Sequence, residues 1–165
     1  MDKDLERRIV RAKELLATSK HAAIATVNED GSPHNTPVYF MYDSKLEYFY
    51  WGSHPESIHS LNILRTGKIF IVLYDAIKRG GLFIKGEDVH AVSGEELKEA
   101  LNIHNLFRIK EGSEPLEISY YEGNNPQRMW KAKMTNFWVN YAEKDTNGHL
   151  AKDGRQEITA KDLLS

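Results

Sequence analysis

The sequence predicts a mainly β fold: a small closed barrel of about six mostly antiparallel strands, with α-helices at its periphery. Three observations lead there. Most of the apolar segments are short and rich in Val, Ile, Phe, Tyr and Trp, the residues that suit a pleated, half-buried surface. Several of their connections are only three or four residues long, too short for the repeated crossovers of a doubly wound parallel sheet. Helical periodicity is confined to three separated segments.

Residues 4–18 form the first of these helices, with Leu5, Ile9, Ala12, Leu15 and Leu16 on one face and Lys and Arg on the other. Residues 22–27 read as a strand, Asn28 to Gly31 as a turn, and residues 34–42 as a second strand. Asp43, Ser44 and Lys45 turn the chain into a third strand over residues 46–51. Ser53 and Glu56 fit a capping box with Pro55 in the first turn, which predicts a helix running from there to Gly67. Residues 68–74 make a buried strand and residues 82–92 another, with Gly86 marking a bulge. Ser93 and Glu96 repeat the capping-box signature ahead of a helix over residues 95–110. Residues 111–126 are punctuated by Pro and Gly, with order expected only over 116–121. The last predicted strand, residues 129–142, has two nearly full apolar faces, and the tail beyond Asp145 is mostly polar.

Composition narrows the function. A chain of 165 residues suits one domain spanning residues 1–165, and 41% apolar content is enough for a core. The absence of cysteine excludes disulfides, thiol nucleophiles and Cys-based metal sites. A net charge of −2 argues against a nucleic-acid partner, which needs a basic field. No apolar run is long enough to cross a bilayer, and the charged first residues lack a signal peptide's apolar stretch, so a cytoplasmic protein is expected.

Neither a dinucleotide fingerprint, a P-loop, a nucleophile elbow nor a zincin helix is present, and Gly80, Gly81 and Gly86 sit at a turn and in a strand. His54 and His59 stand about 140° apart on a helix, a poor spacing for a shared metal ion, so none is expected. Two segments carry chemistry. Pro33 to Val38 places two prolines four apart within a strand, leaving main-chain groups without ladder partners. Such groups suit the polar edge of a planar heterocycle, or they mark a protected sheet edge. Trp51 to Asn62 leaves a strand, opens a helix, and gathers Ser53, His54, Ser57, His59, Ser60 and Asn62 at a helix start, where anions bind. The alternative there is a capped surface helix.

Taken in order and spacing, Ala22 to Val27, Gly31 to Phe40, Leu46 to Trp51, His59 to Ile63, Lys68 to Asp75 and Gly81 to Val92 resemble the FMN-binding split β-barrel family, the pyridoxamine 5′-phosphate oxidase-like proteins. The resemblance implies a six-stranded antiparallel split barrel that forms a homodimer, with FMN in clefts at the subunit interface. It implies that the main chain around Thr36, Pro37 and Val38 meets the isoalloxazine edge. Trp51, Gly52, Ser53 and His54 would lie by the ribityl chain, with Ser57, His59, Ser60 and Asn62 near the phosphate. His34 and His59 stand where well-characterised family oxidases use arginine and lysine. The C-terminal arginine and tryptophan elements that hold pyridoxal phosphate are not recognisable after Asp145, so vitamin B6 oxidation is not expected. The expectation is an FMN-binding oxidoreductase of unknown substrate and electron donor, with no catalytic side chain evident. A non-catalytic flavin-binding, storage or sensing protein and an F420-dependent reductase stand as alternatives.

Overall fold

In the computed structural model, which describes residues 3–165, the three expected helices and every expected strand form; Met1 and Asp2, part of the charged opening, lie outside it. Helix α1 (Lys3–Thr18) buries Ile9, Ala12, Leu15 and Leu16, as its periodicity requires. Strands β1 (His21–Val27) and β2 (Pro33–Tyr39) form a hairpin, followed by the short β3 (Met41–Tyr42) and by β4 (Tyr48–Ser53). Helix α2 (Ile58–Thr66), β5 (Ile69–Tyr74), β6 (Gly81–Ala91) and helix α3 (Gly94–Lys110) come next. A 3-10 turn at Ile118–Tyr120 leads into the long β7 (Arg128–Lys144), and β8 (Leu150–Ile158) and α4 (Ala160–Leu164) end the chain.

All pairings are antiparallel, in the order β2-β1-β5-β6-β7-β4-β3, with β8 also on β7. The sheet curls into a half-barrel rather than a barrel closed by hydrogen bonds. Its two ends, β2 and β3, are joined covalently through Phe40, whose N–H still bonds back to the Lys20 carbonyl at 2.9 Å. The expected second strand is therefore two, because its pairing switches from β1 to β4 across one residue.

The strand count is eight, not six, and the polar tail supplies the other addition. Strand β8 is exposed over most of its length and shows no apolar alternation, yet the free edge of β7 templates it from Phe137 to Lys144. Ile158 and Leu163 then anchor the tail in the core. Neither expected capping box forms. Helix α2 begins four residues late, with Ser57 as its N-cap, and Glu96 turns away from Ser93 to reach Lys131 at 3.0 Å and His90 at 3.2 Å. The Gly67 stop and the Gly86 bulge do occur. Gly67 takes the left-handed φ of 62°, and the β6–β7 register shifts at Gly86.

The inside of the half-barrel is filled. Phe40, Phe49, Trp51 and Trp130 are at most 1% exposed, and Trp51 stacks on Phe49 with centroids 4.8 Å apart. A second cluster lies under α3, where Leu97, Ala100 and Leu101 meet Met41, Tyr50, Tyr121 and Met129. Alternation along the paired strands places Ala23, Ala25, Phe70, Val72, Phe83 and Trp138 together on the opposite, outer sheet face, all partly exposed.

Candidate functional site

The site is built where the free edge of β2 meets the start of α2. Two bonds flank the β1–β2 ladder: Asn28 N–H to Ser32 O and Phe40 N–H to Lys20 O, each 2.9 Å. With Ile24 opposite Thr36, antiparallel alternation turns the main-chain groups of His34, Thr36 and Val38 toward β1. Those of Pro33, Asn35, Pro37 and Tyr39 point away from it, where no other strand pairs. Both prolines thus occupy positions whose N–H would be unpaired in any case. The free edge offers the carbonyls of Pro33, Asn35 and Pro37, and between the prolines Asn35 supplies the N–H. Asn35 lay outside the sequence-derived set. Proline parity was the signal that marks it.

On the other side, His34, Thr36 and Val38 point toward α2 and the core, with Val38 buried. At the start of α2, the amides of Ile58, His59 and Ser60 precede the first intrahelical bond, from Leu61 N–H to the Ser57 carbonyl. Side chains converge there. Ser57 Oγ lies 2.9 Å from both the His54 carbonyl and Ser60 Oγ, 3.1 Å from His59 Nε2 and 3.2 Å from Ser53 Oγ. Ser53 Oγ is itself 2.7 Å from His59 Nε2. Four neighbours around one hydroxyl exceed its single proton and two lone pairs, so the cluster can re-aim donors at a new acceptor.

Burial lowers the pKa of His59, and the nearby His34 lowers it further, so the imidazole of the free protein is neutral at neutral pH. Asn62 donates to Thr26 Oγ1 at 3.0 Å and to Asn28 Oδ1 at 2.9 Å, fastening α2 onto β1. Its N–H donors are thereby engaged. Trp51 is wholly buried, so only its main chain lines the β4 end. At Gly52 a Cβ would stand 2.8 Å from the Tyr121 hydroxyl, which closes over the strand there. His54 lies at the rim, its Nδ1 accepting the Glu56 N–H at 3.1 Å. No group of His, Asp or Glu side chains among the described residues is arranged to hold a metal ion.

Residues 11–139 match the family profile described as pyridoxamine 5′-phosphate oxidase. The chain belongs to this family. No curated protein matches the sequence. Solved structures similar to this family member share its fold at low identity. One is a Clostridium acetobutylicum protein related to general stress protein 26 of B. subtilis, of the pyridoxinephosphate oxidase family. It is 19% identical, with 96% of this chain and 97% of that one covered at a TM-score of 0.62. A pyridoxamine 5′-phosphate oxidase-related, FMN-binding protein from Nostoc punctiforme is 11% identical, covering 95% and 96% at 0.56. An F420 reductase is 16% identical, covering 76% and 94%, also at 0.56.

Proposed function

We propose that this chain is an FMN-binding oxidoreductase that works as a homodimer, with the flavin at the subunit interface. The carrying observation is the meeting of two half-sites: an unpaired main-chain edge at Asn35 and Pro37, and a donor cluster at the start of α2. FMN asks for both. Its pyrimidine edge alternates acceptors and donors, which the Asn35 N–H and the proline-flanking carbonyls complement. Its phosphate asks for several donors, which Ser53, Ser57, Ser60 and the free amides of α2 offer. His59 lies within the same cluster and His34 beside it.

When bound, the flavin ring supplies the electron- or hydride-accepting chemistry. The protein's part is to bind, orient and cover it. Asn62 orients α2 from behind in this reading rather than meeting the phosphate. Because the half-barrel is filled by Phe40, Phe49, Trp51 and Trp130, the cofactor lies outside it, against the β2 edge. A second copy seated on the outer sheet face would cover it there. That face is continuous with the β2 edge, since Ala23 pairs with Pro37 and Ala25 with Asn35.

The absorption spectrum of the freshly purified protein tests the cofactor, with competition between FMN and F420 deciding the preference. A flavin spectrum with turnover of NADH or NADPH supports the reading. A flavin spectrum without turnover of any donor or acceptor, where a control flavoenzyme works, assigns a flavin-binding protein instead. Displacement of FMN by F420 assigns the reductase.

A further inference from the structure

The other end of the sheet carries a concentration of positive charge that the flavin reading does not use. Arg7, Arg8 and Arg11 of α1 and Arg79 of the β5–β6 turn line one cleft of about 270 Å³, and Asp4 is the acidic side chain on its wall. The chain as a whole is slightly acidic, at −2, so this is a local feature and not a general basic bias.

The inner two guanidinium groups are held in place. Arg8 donates to the Asn140 carbonyl and, at 3.2 Å, to Asp4, and its side chain is 22% exposed. Arg11 bonds Glu14 at 2.8 Å and also Asp75, and its side chain is 13% exposed. Its Nε is buried without an acceptor among the described residues. The turn comes close because Gly80 adopts φ +103°, and even there a Cβ would stand 3.2 Å from Arg11 Cγ. The outer two groups are more exposed. Arg7 is 79% exposed and pairs with Asp4, and Arg79 is exposed and engages no partner among the described residues.

The exposed forks of Arg7 and Arg79 over a fixed inner pair match an anion carrying several oxygens, because each outer planar fork can pair two of them while Arg8 and Arg11, engaged by protein acceptors, shape the floor. Size limits it to a compact one. The cleft falls below the roughly 300–1,000 Å³ of pockets that enclose drug-sized ligands. It is also remote from the flavin site. Ser53 pairs with Arg128 at the start of β7, whereas Asn140 lies twelve residues further along the same strand, toward its other end. We propose that this cleft binds a compact diphosphate group, at a site separate from the flavin's.

Inorganic pyrophosphate titrated into the full chain by calorimetry tests this, with FMN saturating so that the flavin site is closed. One equivalent should bind with Kd of about 1 mM or tighter, and the double variant Arg7→Gln/Arg79→Gln should weaken it by about tenfold or more. Both residues are exposed, so the variant should keep its circular dichroism and its FMN affinity. ADP binding tighter than pyrophosphate would assign the diphosphate to a nucleotide, and weaker binding to a free diphosphate; either upholds the site. Absence of binding in the parent chain overturns the proposal. So does binding that survives in the arginine variant, or that is lost in His59→Ala instead. The last result would place the anion in the His59 cluster despite saturating FMN and count against the flavin cradle too, whereas the first two leave the flavin reading standing.

Discussion

His59 is where the flavin reading is most exposed to a single substitution. It is 8% exposed and touches Ser53 and Ser57 through Nε2, and a phosphate there would take over those donors. His59→Ala should weaken FMN about tenfold or more, as expected for one charge-assisted bond of about 1.5–3 kcal/mol, and leave riboflavin nearly unchanged. Fluorescence titration of both flavins checks this. Equal losses of the two, or no loss, would sink the cradle. The pH dependence has a definite sign. The free protein holds His59 below its ordinary value through burial and then through His34. A bound dianion would stabilise the imidazolium and raise it, so binding takes up a proton and affinity falls as pH rises. Phosphate's own second ionisation near pH 6 acts oppositely, so the measurement belongs between about pH 6.5 and 8.5, where the phosphate is already dianionic. His59→Ala should flatten the curve.

At the scale of elements, the tail shows what pattern reading could and could not reach. Helix α1 was legible because its buried face repeats with the helical period, and strands β1, β5 and β6 because they are short apolar, β-branched runs bounded by turn residues. Strand β8 was not, because an edge strand templated by main-chain bonds needs no apolar alternation. The Asp-Thr-Asn-Gly stretch before it, where Asp145 Oδ1 accepts the N–H of Asn147 and of His149, was a hairpin signal that went unused. The start of α2 failed for a different reason. Ser53 serves the His59 cluster instead of a cap, so a local rule gave way at a candidate site. Ile158→Ala should cost about 2–5 kcal/mol in urea unfolding, because it removes a buried anchor, while Lys152→Ala should stay within about 0.5 kcal/mol. Equal effects would mean that the tail is not part of the cooperative unit. Helix α3 offers a second test. His104 is 7% exposed, its Nδ1 lies 2.9 Å from the Tyr121 hydroxyl, and its pKa is lowered to about 4 by burial and then by Arg108. The unfolded chain therefore binds the proton first, and stability present above about pH 6.5 is lost as pH falls toward 4. Between pH 7 and 5 this amounts to about 2 kcal/mol at most. His104→Gln should lose visibly less over that window, with the remainder assigned to His59, which is shifted the same way.

At the scale of the molecule, the proposed flavin site needs a cover. The last long strand has two nearly full apolar faces, and Trp130, Met134, Phe137 and Val139 all turn into this chain's own core. Trp138 remains on the outer face, and with Phe70, Val72 and Phe83 it forms the patch proposed to meet a second copy. Phe70 lies 6.0 Å from Trp138 and 6.5 Å from Phe83, and Arg155 stacks over Phe83 at 4.1 Å. A shallow cavity of about 450 Å³ lined by Ala25, Val27, Pro33 and Phe70 opens at the same side, with Lys68 and Lys85 at its walls. Val72 sits between Ala23 and Phe83 in the register, at the middle of that face and on the side of the sheet opposite the core. Val72→Arg tests the assembly because a partly exposed position on the outer sheet face can extend an arginine into solvent in a monomer. In a dimer formed through this face it would bury an unpaired charge in each copy, at a cost of several kcal/mol. Light scattering at micromolar concentration should give a dimer for the parent chain and a monomer for Val72→Arg. Circular dichroism should match between the two. FMN affinity should fall with dimerisation, since the β2 edge alone leaves one flavin face in water. A parent chain that is monomeric with FMN still bound would remove the interface from the site, and a Val72→Arg protein that remains dimeric would move it to another face.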